Sequence, residues 1–114
     1  MDIQELINNV RQWGEDRNIT GINGKGTLLS QLLKTQEELT ETRDAAIRMQ
    51  HSETYSDSQR YKRDVKDGIG DTTVTLILAA EMAGMRFEDC LQAAYDEIKG
   101  RTGKMENGQF VKDK

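Results

Sequence analysis

Apolar and polar positions divide the chain into stretches of helical period followed by a short tail of different character. Between Asp2 and Arg17, the residues Ile3, Leu6, Ile7, Val10, Trp13 and Gly14 recur at spacings of three and four, which predicts a first helix with one apolar stripe and Asp2 as its N-cap. Trp13 belongs to that stripe as a core position, with contact to a ligand as the alternative. Asn18–Thr27 carries three glycines within six residues and reads as a helix–helix connection. It has no GxxxxGK[ST], and Gly24-Lys25-Gly26 is too short for a phosphate loop.

The second helix is expected from Thr27 or Leu28 to about Gln50. Leu28, Leu32, Leu39 and Ala46 fall within about 40° on a helical wheel, with Leu29, Leu33 and Ile47 beside them, as the buried stripe. The polar His51–Arg60 reads as a frayed connection. Tyr61–Met85 is ambiguous: Thr72–Leu78 is rich in β-branched residues and suits a strand, but the apolar character runs on through Ala83 and Val65, Ile69, Leu76 and Ala80 keep a helical period. Length favours one helix, about 64–84, apolar nearly all round in its second half and therefore central to a bundle or to a subunit interface. Phe87–Lys99 predicts a fourth helix with Leu91, Ala94, Tyr95 and Ile98 as core positions and Cys90 as a small buried residue, Gly84 ending the helix before it. In the tail, Asn107-Gly108 between Lys104-Met105 and Phe110-Val111 signals a β-hairpin.

Composition narrows the class. A chain of 114 residues with 35% apolar and 32% charged positions is expected to form one domain, residues 1–114, with a lean core, part of its apolar surface being buried between subunits. A net charge of −4 argues against general nucleic-acid binding. One cysteine excludes an internal disulfide. The longest apolar run, Leu76–Ala80, is too short to span a bilayer, and nothing near the N-terminus reads as a signal peptide, so no membrane partner and a cytoplasmic location are expected. The lone histidine, His51, has no ligand-spaced neighbour and is expected in solvent.

The candidate chemistry lies in Gln31–Ala45. Glu37, Glu38 and Glu41 form EExxE, three carboxylates within an arc of about 100° on a helix. Such a cluster is either a solvated acidic face or a seat for a hard divalent cation, Mg²⁺ or Mn²⁺. The acids flank the leucine stripe, which points them toward a helix–helix groove. Asp67 and Asp71, one turn apart ahead of the most apolar segment, either share that cation with Glu38 and Glu41 or simply complement the helix dipole. Lys99, Arg101, Lys104 and Lys112 make the C-terminal end basic, as a rim for a polyphosphate or as ordinary surface.

These residues resemble the MazG-like all-α nucleoside triphosphate pyrophosphohydrolases, the superfamily that includes the dimeric all-α dUTPases. The likeness runs from Trp13…Arg17 through Gln31-x-x-Lys34-x-x-Glu37-Glu38-x-x-Glu41 and Ile69-Gly70-Asp71 to Lys99-Gly-Arg101…Asn107-Gly108-Gln-Phe110-Val111-Lys112. It implies an all-α, four-helix-bundle-like fold with a short C-terminal hairpin, assembled as a homodimer or homotetramer. It implies hydrolysis of a (d)NTP to the monophosphate and pyrophosphate, with Mg²⁺ (or Mn²⁺) held by Glu38, Glu41 and Asp71. Glu37 or Glu41 would position or deprotonate a water, Lys34, Lys99, Arg101 and Lys112 would meet the phosphates, and Trp13 would meet the base. The pattern departs at one place. The family's ExxD puts a Glu where this chain has Gly68, and Asp67 is the nearest substitute. A house-cleaning dUTPase or dCTPase activity, and a non-catalytic helical oligomer that binds a protein partner, are the competing expectations.

Overall fold

A computed structural model describes residues 1–114. Four helices, α1 (Ile3–Asp16), α2 (Leu28–Gln50), α3 (Tyr55–Met82) and α4 (Phe87–Ile98), are followed by a hairpin of β1 (Gly103–Glu106) and β2 (Gln109–Lys112). Their starts are set by short-range capping. The Asp2 carboxylate accepts from the backbone N–H of Glu5, and the Thr27 hydroxyl from that of Ser30. Each bond satisfies an amide that the first turn leaves free. Thr72–Leu78 is helical throughout, so the strand alternative falls.

The largest correction to the sequence reading concerns the start of α3. Residues 55–60 are helical, and the connection shrinks to 51–54. Thr54 caps this helix by accepting from the Asp57 N–H at 3.1 Å, and Asp57 in the first turn complements the dipole. His51 is exposed, as expected, and closes the C-terminal end of α2. At its far end α3 stops at Met82, where the N–H groups of Ala83, Gly84 and Met85 fold back on the carbonyls of residues 79–81 and Gly84 takes a φ of 74°. No helix is long and apolar enough to cross a membrane.

α3 is the hub, and α1, α2 and α4 each pack against it. Between α2 and α3 the seam is polar and close. Gln31, Thr35, Glu38, Thr42 and Ala45 of α2 face Val65, Gly68, Thr72, Thr75 and Ala79 of the antiparallel α3, both lines at alternating spacings of three and four. Thr35 Oγ1 donates to Thr75 Oγ1 at 2.8 Å, Thr75 donates to the Thr72 carbonyl, and Gln31 Nε2 reaches the Thr75 carbonyl. Gly68 is the point of closest approach: a Cβ there would collide with Thr42 Oγ1 and stand 2.9 Å from Thr42 Cβ. The leucine stripe of α2 is therefore not its buried face. Leu28, Leu32, Leu39 and Ile47 remain exposed, because the small and hydroxyl side chains of α3 pair with the neighbouring polar line instead.

The buried apolar set is small, Ile7, Ala45, Ile77, Leu78 and Ala79. α1 meets α3 where Gly14 lies under Leu78. α4 is joined to α1 and α3 by an ionic knot. Arg11 holds Glu88 at 2.7 Å and approaches Glu81 at 3.5 Å, and Gln4 Nε2 donates to Glu88 at 2.6 Å. Two expectations for α4 are corrected here. Leu91, Ala94, Tyr95 and Ile98 are exposed, and so is Cys90, because α4 touches α3 only along its first turns. Its N-cap, Arg86, makes no side-chain capping bond. The hairpin forms at the expected turn, with Asn107 and Gly108 both at positive φ and Met105 opposite Phe110, and it packs mainly on itself.

Candidate metal and nucleotide site

The seam brings acids from two helices together. On α2, Glu38 lies in the line that faces α3 and Glu41 lies one step to its side. On α3, Asp64, Asp67 and Asp71 recur at spacings of three and four along one flank of the same seam. Glu38, Glu41, Asp64, Asp67 and Asp71 all line a cleft of about 250 Å³ whose floor is Thr42, Ala45 and Gly68. Arg48 is the one cationic side chain in its wall. Position 68 thus sits in the floor against Thr42, and the space a longer side chain would need there is taken by the other helix.

A second cavity, about 360 Å³, opens on the same side of the α2–α3 pair. Glu38 and Asp71 form part of its wall too, with Gln31 and Lys34 from α2, Val74, Thr75 and Leu78 from α3, and Trp13 and Ile19. A third hollow of about 410 Å³ lies beyond Trp13, lined by Leu6, Asn9, Val10, Val74 and again Asp71. Trp13 is therefore not a closed core residue. Its ring divides two hollows, is 41% exposed, and carries the Arg17 guanidinium 4.6 Å from its centre.

The two candidate catalytic carboxylates are placed differently. Glu41 lines the acidic cleft and also an open hollow on the outer side of α2, whereas Glu37 lines only the outer hollow. The Glu37 side chain is 65% exposed against 14% for Glu38. Lys34 bridges the two, 3.3 Å from Glu37 and 3.5 Å from Glu38, and these contacts raise the pKa of its ammonium, the hydrogen bond it donates to Glu37 first. The basic residues of the tail lie elsewhere. Lys99 pairs with Asp96 and Arg101 with Glu97, and neither they nor Lys112 lines the acidic cleft or the two hollows around Trp13.

All the acidic donors are oxygens, which suits a hard cation by type. In the arrangement described, no three acidic, histidine or cysteine side chains stand as a metal-ligating group. Glu38 pairs instead with Lys34, at 3.5 Å. Asp64 and Arg48 were not singled out from sequence. The signals were present, since Asp64 continues the Asp67–Asp71 spacing backward and Arg48 lies seven residues after Glu41. No family model, no characterised protein and no solved structure matches the chain.

Proposed function

We propose that this chain is a Mg²⁺-dependent nucleoside triphosphate pyrophosphohydrolase that splits a (d)NTP into the monophosphate and pyrophosphate. One observation carries the reading: Glu38, Glu41, Asp67 and Asp71, from two antiparallel helices, line one cleft, and Glu38 and Asp71 continue into a neighbouring cavity walled by Trp13 and Lys34. Glu38, Glu41 and Asp71 would hold the ion, with Asp67 taking the place of the family's missing Glu at Gly68. Mn²⁺ satisfies the same oxygen donors. Bound there, the ion supplies neutralisation of phosphate oxygens and a more acidic water.

The chain's own groups divide the remaining work. Glu41, in the cleft, is placed to orient a water and take its proton. Lys34, in the adjoining cavity, can turn from Glu37 and Glu38 to a phosphate. The Trp13 ring offers its free surface to a planar base, with Val74, Leu78 and Ile19 as apolar walls of the same cavity. Lys99, Arg101 and Lys112 serve a triphosphate only from another copy, in a homodimer or homotetramer. A cytoplasmic house-cleaning role, on dUTP or dCTP among others, belongs to the same reading.

The test is pyrophosphate release from a panel of common and modified (d)NTPs with Mg²⁺ or Mn²⁺. Release that is abolished by a chelator is expected. Its absence across the panel overturns the assignment and leaves the competing reading, a helical oligomer that binds a protein partner.

A further inference from the structure

We infer that Arg48 binds the terminal phosphates of the substrate, the pair released as pyrophosphate, and that the substrate lies along one flank of the α2–α3 pair with its base at Trp13 and its phosphate tail at Arg48. The inference rests on the hydrolase reading for the identity of the ligand. Arg48 is exposed and is the one cationic side chain in the wall of the acidic cleft. It stands on the flank of Glu41, seven residues on and within about 20° of it on the helical wheel. No ion pair of the chain uses it. Arg11, Arg43, Arg60 and Arg101, by contrast, each hold a carboxylate. A place in the last turn of α2 suits the helix dipole, but the dipole is served from any side of the helix and does not ask for a place in the cleft.

The order of residues along the flank fixes the direction. The cavity walled by Trp13 and Lys34 shares Glu38 and Asp71 with the acidic cleft, and the cleft continues from them to Arg48 and Asp64. From Glu38 to Arg48 the rise along α2 is about 15 Å, and from Asp71 back to Asp64 along the antiparallel α3 it is about 10 Å. Trp13 and Arg48 therefore stand at opposite ends of one path, with the proposed seat of the ion between them. A triphosphate brings further negative charge into a cleft lined by Glu38, Glu41, Asp64, Asp67 and Asp71, of which Glu38 alone pairs with a lysine. A divalent ion offsets part of that charge, and the phosphates beyond it need a cation from the protein. Lys99, Arg101 and Lys112 are not in the cleft wall, so within one chain Arg48 is the group placed to supply it. Its planar guanidinium suits two oxygens of one phosphate or of neighbouring ones. The substrate class follows: a triphosphate fills the path, whereas a diphosphate stops short of Arg48.

Isothermal titration calorimetry of pyrophosphate into the purified full chain, in MgCl₂, tests this without turnover. Wild type is expected to bind. Arg48→Gln, which keeps a good helix former at an exposed position, is expected to raise the dissociation constant at least about tenfold, the loss of a charge-assisted contact to phosphate. Arg48→Lys is expected to recover part of that loss, since it keeps the charge and loses the fork. Arg43→Gln removes an equal charge about 140° round α2 and is expected to stay within about threefold of wild type. For a triphosphate that the chain hydrolyses, Arg48→Gln is expected to raise KM by at least about tenfold as well. Wild type that does not bind pyrophosphate overturns the proposal. So does binding that Arg48→Gln leaves unchanged, or that Arg43→Gln weakens as much. Pyrophosphate that binds through Arg48 while no (d)NTP releases it overturns the hydrolase reading alone and leaves the phosphate site standing.

Discussion

Arg11 of α1 and Glu88 of α4 form a two-pronged ion pair, Nη1 to Oε1 at 2.7 Å and Nη2 to Oε2 at 2.8 Å, across 77 residues of sequence. It is the strongest polar tie between the first and last helices. The Arg11 hydrogen bonds, and then the one from Gln4, hold the Glu88 carboxyl down at about 2, against an ordinary value of 4.5. A depressed carboxylate adds stability that is full above its unfolded pKa and is lost as pH falls through the folded one. Wild type should therefore lose stability relative to Glu88→Gln between about pH 4.5 and pH 2, and the difference in Tm between them should vanish near the lower limit. Thermal melts monitored by circular dichroism over that range check it. A Tm difference that does not change with pH would remove the ion pair from the account.

Gly68 makes a second expectation specific. Gly68→Ala gains about 1 kcal/mol of helix propensity but forces a methyl into Thr42, at a cost of about 1–3 kcal/mol. Replacing Thr42 by Ala removes Oγ1 and Cγ2, two of the three closest atoms, so the cost of Gly68→Ala should fall by more than half in that background. Urea denaturation of the four proteins in the cycle measures the coupling. By the same geometry, Gly68→Glu, which would write the ExxD of the pyrophosphohydrolases that the sequence resembles, should loosen the α2–α3 seam and not improve the proposed activity.

For the proposed chemistry, Glu38→Ala and Asp71→Ala should each reduce pyrophosphate release by more than about 100-fold with helical content retained. Glu37→Ala should cost less than tenfold, since this carboxylate faces the outer hollow and not the cleft. Initial rates alongside far-ultraviolet spectra distinguish these outcomes. Near-normal turnover in Asp71→Ala would dismiss the ligand assignment.

Cation binding has its own readout. An ion that binds only the folded chain raises stability by about 2.7 kcal/mol at a hundred times its dissociation constant. That corresponds to a rise in Tm of more than about 10 °C for a chain of this size. Wild type should show it with MgCl₂ or MnCl₂, and Glu38→Ala and Asp71→Ala should not. A rise of equal size with NaCl at matched ionic strength would reduce it to screening.

Thr75→Val should cost about 1–2 kcal/mol, because it removes the Thr35–Thr75 bond across the seam and the Thr75 donation to the Thr72 carbonyl at a position only 6% exposed. Replacing both threonines by Val should cost less than the sum of the single changes, as measured by chemical denaturation.

What the sequence disclosed follows from what hydrophobic period measures. It located α1 and α2 because Asp2 and Thr27 stand directly before apolar repeats. It missed the first turns of α3 because Tyr55–Arg60 has no apolar repeat, although Thr54 and Asp57 already spelled the cap. It found the amphipathic stripes of α2 and α4 but assigned them to the interior of the chain. Period reports that a face wants cover, not which molecule covers it. Glu38, Glu41, Asp67 and Asp71 were legible together because their spacings place them on one flank of each helix. The distance of Lys99, Arg101 and Lys112 from that cleft was not, since it depends on how α4 leaves α3.

Cys90, the single thiol, lies on the outside of α4. Aerobic handling can therefore rivet two chains covalently at a place unrelated to either face of the α2–α3 pair, and a non-reducing gel would then show a band that mimics true association. Mass measurements belong in fresh reductant for that reason. The same accessibility offers one stoichiometric attachment point, so a dye or nitroxide coupled there would be uniform across the population with no residue first removed.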